Sequence, residues 1–132
     1  MDPLSDAIRR SRADAYVAYA NSRDADMRYL THFTTSDHFV FFKKKGGTGT
    51  IIISQMEVGR ACRESISAVM TRAEAGLPEI LKNEKDPNRA TALMIAEQAG
   101  KKILVPPNFP VVLANALGEF CTVTVDTGTV LS

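Results

Sequence analysis

Residues 38–54 read HFVFFKKKGGTGTIIIS. Two β-rich runs, 38–43 and 48–54, are parted by Lys44, Lys45, Gly46 and Gly47. Aromatic and β-branched residues fit a pleated, buried surface, and paired glycines supply the positive φ of a tight reversal. The stretch therefore predicts a β-hairpin with a glycine-bearing loop. The run Gly46-Gly47-Thr48-Gly49 after three lysines has the look of a phosphate cradle. A phosphate loop, however, needs its glycines between a strand and a helix N-terminus, where backbone N–H groups point at the anion. Both flanks here read as strands, so the glycines are assigned to the turn and the lysines to a solvated loop.

Working outward, residues 13–20 (ADAYVAYA) are apolar almost throughout and predict a strand buried on both faces. Before it, Leu4, Ala7 and Ile8 repeat at helical spacing over 3–12, with Pro3 in the first turn and Arg9, Arg10 and Arg12 facing water. After it, 21–26 is a polar turn in which Asp24 or Asp26 caps a segment over 27–31.

Beyond the hairpin, 55–64 (QMEVGRACRE) returns to helical spacing with Met56, Val58 and Ala61 inward, and 66–71 (ISAVMT) reads as a short strand. A helical turn is expected over 77–81. Asp86 followed by Pro87 is a strong helix start, and Gly100 a favoured stop. A strand over 103–105, a helix over 110–118 and a strand over 120–125 complete the pattern, with 130–131 adding a little more strand. Such alternation predicts one α/β domain over 1–132, a mixed β-sheet flanked by helices on both faces. The chain stops directly after a strand, as expected of a domain that continues into a larger protein.

At 132 residues, 45% apolar and 23% charged, the chain can build one core without disulfide or metal staples. A formal net charge of +1 gives no field that draws in nucleic acid or anionic lipid. No stretch approaches the roughly 18 apolar residues of a membrane span, and the N-terminus lacks a signal-peptide core. A cytoplasmic protein is expected. Cys62 and Cys121 have no metal-like spacing and are expected as buried or half-buried free thiols.

Candidate chemistry is sparse. His32 and His38 bracket a polar loop with Asp37, and two imidazoles with a carboxylate suit acid–base or metal chemistry. Without further aligned ligands they define no site, and exposed loop histidines are the plainer reading. A small hydrolase built on His32, Asp37 and His38 is the outlying alternative. No nucleophile elbow, HExxH, CxxC pair or dinucleotide fingerprint is present.

One family matches the order of motifs. The segment 24–33 (DADMRYLTHF) resembles the N-x-x-Y-L-T-G-F passage of the creatinase/prolidase N-terminal domain, with His32 in place of the usual Gly. Glu57, Arg60 and Ala61 resemble its E-x-x-R-A run, and 103–117 (ILVPPNFPVVLANAL) its V-P-x-x-F-P-x-x-L-A-x-x-L stretch. The resemblance implies a mixed sheet resembling ribonuclease H, preceding a C-terminal pita-bread catalytic domain of an Xaa-Pro dipeptidase or aminopeptidase. It further implies two divalent metal ions (Mn, Co or Zn) held by Asp, Asp, His, Glu and Glu of that other domain, so no catalytic residue, metal ligand or cofactor is assigned to this chain. A homodimer acting on short proline-containing peptides is implied, with this domain inactive alone and shaping substrate access. The loop of Thr34, Thr35, Ser36, Asp37 and His38 is the part expected to approach an active site. Creatinase-like amidinohydrolases share this architecture. A free-standing small-molecule or protein binding module of the same fold is the alternative.

Overall fold

The computed structural model describes residues 3–21 and 23–126. Six strands form one mixed sheet in the order β4-β3-β2-β1-β5-β6. The central strand β1 (Ala15–Ala20) pairs antiparallel with β2 (Phe39–Lys44) on one side and parallel with β5 (Lys102–Val105) on the other. Beyond β2 lie β3 (Gly49–Ile53), antiparallel to it, and β4 (Ala68–Thr71), parallel to β3. Beyond β5 lies β6 (Thr122–Val125), also parallel. Thus β2 runs against all the others, and the remaining strands bring their carboxyl ends to one edge.

Side-chain alternation divides the core in two. Val17, Val40, Ile52, Ile103 and Val105 face one layer, while Tyr16, Ala18, Phe41, Ile51 and Leu104 face the other. The first layer is covered by α4 (Leu77–Asn83), α5 (Pro87–Ala99) and α6 (Val111–Leu117). The second is covered by α1 (Pro3–Ser11), α2 (Ala25–Thr31) and α3 (Val58–Glu64). A strand buried on both faces has no room for polar residues, which is why β1 reads AYVAYA. No helix among the described residues is long and apolar enough to cross a membrane.

The hairpin forms as expected. Val40 pairs with Ile52 and Lys43 with Gly49, and Gly46 takes φ +76° in the turn. The α5 boundaries follow their signals too. The Asp86 carboxylate accepts from the Asn88 N–H at 2.9 Å, and Gly100 ends the helix at φ +113°.

Three expectations fail locally. Met56 points into solvent, 95% exposed, because Gln55–Glu57 is a 3₁₀ turn that buries nothing and the α-helix begins only at Val58. Cys62 is exposed, since α3 buries only Ala61 against the sheet; Cys121 is half-buried. Ile66 stands outside its strand, which starts at Ala68. The expected strand at 130–131 lies outside the described residues.

Candidate functional site

The loop between α2 and β2 follows a helix that is fixed at both ends. The Asp24 carboxylate caps α2 by accepting from the Met27 N–H at 3.1 Å, and its second oxygen accepts from Asn108 in the loop after β5. The Asp26 side chain, the other candidate cap, lies outside the described part. At the far end of α2 the fully buried Thr31 hydroxyl donates to the Met27 carbonyl at 2.7 Å and accepts from the Phe33 N–H at 3.1 Å. A hydroxyl serving both roles ends the helix without leaving a buried polar group unpaired. His32 then takes φ +56°, in the left-handed region, and turns the chain across the carboxyl edge of the sheet.

Within the loop, burial alternates. Phe33 is fully buried against Phe39, ring to ring at 5.6 Å, and Thr35 is buried. Thr34, Ser36, Asp37 and His38 are exposed. The Thr35 hydroxyl accepts from the Asp37 N–H at 3.2 Å, and Asn21 donates its amide to the Ser36 carbonyl at 3.2 Å. Beneath, Arg60 of α3 donates to the Thr34 carbonyl and lies over the Phe33 ring, while Glu57 and Glu64 hold its guanidinium. The polar row of 34–38 therefore stands on two buried anchors and one arginine clamp. Arg60 and Glu57 belong to the E-x-x-R-A run; that motif was visible in the sequence, but its contact with a loop 26 positions away was not.

The two histidines do not converge. His32 lines a groove of about 490 Å³ on the α1–α2 side, with Tyr29, Leu30 and Ile66. His38 stacks at a tilt on Tyr19, ring centres 5.5 Å apart, and lines a cleft of about 210 Å³ on the α4–α5 side. Among the described residues no group of three or more His, Cys, Asp or Glu side chains could hold a metal ion. The described residues do not fit a two-metal centre, and His32 and His38, lining different clefts, do not form one hydrolytic site with Asp37. What the loop offers instead is hydroxyls, a carboxylate and an imidazole presented together on a fixed backbone.

Residues 1–99 match the family model described as the Creatinase/Prolidase N-terminal domain. A search of the curated proteins found no match. Among solved structures, the chain is similar to an Xaa-Pro aminopeptidase (aminopeptidase P) from Streptococcus thermophilus, at 14% identity and TM-score 0.65 over 97% of this chain and 90% of that one. It is similar to an Xaa-Pro dipeptidase from Bacillus anthracis at 17% identity and TM-score 0.69, again over 97% of this chain but 33% of the other. A prolidase from Pyrococcus horikoshii OT3 gives 11% identity and TM-score 0.68, with 97% and 32% covered. The chain thus spans about a third of the length of those two enzymes.

Proposed function

The chain belongs to the creatinase/prolidase N-terminal domain family, and from that premise we propose that it serves as the non-catalytic N-terminal half of a proline-specific metallopeptidase. In this reading an Xaa-Pro dipeptidase or aminopeptidase domain lies C-terminal to it and carries the two divalent metal ions, Mn, Co or Zn. The present domain contributes to a homodimer and governs which peptides reach the catalytic cleft.

The loop of Thr34, Thr35, Ser36, Asp37 and His38 carries the reading. A gate must hold its shape while offering polar groups, since a loop that orders only on contact loses binding energy to its own immobilisation. Phe33, Thr35 and Arg60 supply that rigidity. The exposed hydroxyls, the Asp37 carboxylate and the His38 imidazole supply groups able to hydrogen-bond the charged ends of a short peptide. A second domain over a cleft also excludes long or folded substrates by bulk alone.

The reading frame beyond Ser132 tests the assignment directly. A continuing frame with two Asp, one His and two Glu as metal ligands is expected; a stop codon there would sink it and favour a free-standing binding module. In the full-length protein, Asp37→Ala and His38→Ala are expected to raise KM for Xaa-Pro dipeptides at unchanged metal content. An unaltered KM for both would remove the gating role from this loop.

A further inference from the structure

Two basic side chains meet at one cleft on the α4–α5 side of the sheet. Arg72 directly follows β4, and His38 ends the loop before β2; both line a depression of about 210 Å³. Its apolar part comes from Val40, Ile52 and Met94, all buried. Tyr19 and Thr91 contribute hydroxyl-bearing side chains, and every lining residue is neutral or basic.

Arg72 is held by its backbone. Its N–H donates to the Ile53 carbonyl at 3.1 Å, and its carbonyl accepts from the Leu77 N–H at 3.0 Å. The turn it opens is locked by a reciprocal pair. The Thr71 N–H donates to the Glu74 carboxylate and the Glu74 N–H to the Thr71 hydroxyl, both at 2.9 Å. Such a closed box fixes where the next side chain leaves the backbone. Among the described residues, no ion-pair or hydrogen-bond partner engages the Arg72 guanidinium. Asp37 and Glu57 line a narrow adjoining notch with Arg72, but Glu57 is already engaged by Arg60. The Asp37 carboxylate borders the same notch without a hydrogen bond or ion pair to Arg72, so the planar fork of donors on a fixed turn can still take a ligand's carboxylate. The cleft lies at the carboxyl ends of parallel strands, where open α/β sheets leave crevices for ligands.

The dimensions and charge select the ligand. At roughly 30 Å³ per water, the space suits one amino-acid side chain and its carboxylate rather than a nucleotide. The Arg72 guanidinium repels an α-ammonium, so a peptide end is favoured over a free amino acid. We propose that this cleft binds the C-terminal carboxylate of a short peptide with an apolar last residue, with Arg72 as its anion-binding group. The proposal shares His38 with the gating loop and goes beyond the peptidase reading by naming Arg72 and the end of the peptide that is held; it needs no catalytic domain, because this chain alone holds every residue involved.

The test is a nuclear magnetic resonance titration of the 132-residue chain with N-acetyl-leucine, N-acetyl-leucinamide and leucine. N-acetyl-leucine is expected to give saturable shifts at Tyr19, Thr91 and Met94. Binding should weaken at least about tenfold for the amide and for Arg72→Met, with part of it kept in Arg72→Lys. Free leucine should bind more weakly than its acetylated form. Since Arg72 is exposed, the remainder of the spectrum should show both variants folded. Absence of saturable shifts, equal binding of the amide or of free leucine, or wild-type affinity in Arg72→Met would overturn the proposal.

Discussion

The guanidinium carbon of Arg60 lies 4.8 Å from the centre of the Phe33 ring. The same side chain reaches the Thr34 carbonyl and is held by Glu57 and, at 3.2 Å, by Glu64. One arginine therefore couples α3 to the start of the 34–38 loop through both a ring face and a backbone acceptor. Cation–π contacts at partly exposed sites contribute about 0.5–1 kcal/mol, and exposed ion pairs less than about 1 kcal/mol. Arg60→Met is expected to lower stability by about 1–2 kcal/mol and to speed amide exchange at 34–38. Glu57→Gln should do both to a smaller degree. Equal exchange in wild type and Arg60→Met would show that the clamp does not hold the loop.

Gly49 is required by a neighbour rather than by its own backbone. A Cβ there would sit 2.6 Å and 2.9 Å from two ring carbons of Phe41. That ring is buried and packs edge-on against Tyr16 at 6.5 Å between centres, so making room for a Cβ would disturb this packing. Gly49→Ala should cost about 1–3 kcal/mol, the range for overpacking a rigid core. At Gly47 the nearest atom would be 3.5 Å away, so Gly47→Ala should cost much less. Denaturant midpoints of the two variants, compared at equal m-value, check the contrast.

Arg89 joins the start of α5 to the end of α6. It pairs with Glu84 at 3.0 Å and with Glu119, and lies over the Phe120 ring at 5.3 Å. The hydrogen bond from Arg89 holds the Glu84 carboxyl below the usual carboxylate range, helped by the Asp86 N–H. A carboxylate depressed in the folded state stabilises at pH above its ordinary range, and the benefit fades as pH falls through its lowered pKa. Glu84→Gln should therefore be less stable than wild type near neutrality, with the gap closing in acid. Thermal midpoints from neutral pH down to about pH 3 would show it; a gap that widens in acid would contradict the sign.

The hairpin, the capped start of α5 and its glycine stop were legible because each rests on a few adjacent residues with special backbone demands. Strand order was not. Alternating strands and helices imply a mixed sheet, but they do not say that β1 is central, with β2 on one side and β5 on the other. Met56 misled because a 3₁₀ turn precedes α3 and shifts the helical phase, so periodicity placed the residue on the wrong face. Arg60 was visible only as part of a motif; its purpose depends on Phe33, 27 positions earlier, and no local pattern encodes that distance. Arg72 carried no signal at all. Its placement follows from the Thr71–Glu74 box and from the return of β2 beside β3, which bring His38 to the same cleft.

His32 occupies φ +56°, where the family passage that this stretch resembles carries glycine. An L-residue with a Cβ is uncommon there, although histidine is better tolerated than a β-branched residue. The conformation is imposed from both sides. The His32 N–H still donates to the Arg28 carbonyl at 2.9 Å as the last turn of α2, and the Phe33 N–H is taken by the Thr31 hydroxyl. The Thr31 carbonyl meanwhile accepts from the Ile66 N–H at 2.9 Å, leaving the chain no other exit. His32→Gly removes the Cβ strain but adds freedom to the unfolded chain, so a net gain of up to about 1 kcal/mol is expected. His32→Val should lose about 1–3 kcal/mol, because a branched Cβ aggravates the clash. The His32 side chain is exposed, so neither change opens a cavity and the difference reports the backbone. Denaturation of both variants, with spectra confirming that the 34–38 loop keeps its shifts, separates strain from lost contacts; Val and Gly of equal stability would mean that the loop relaxes away from the left-handed turn.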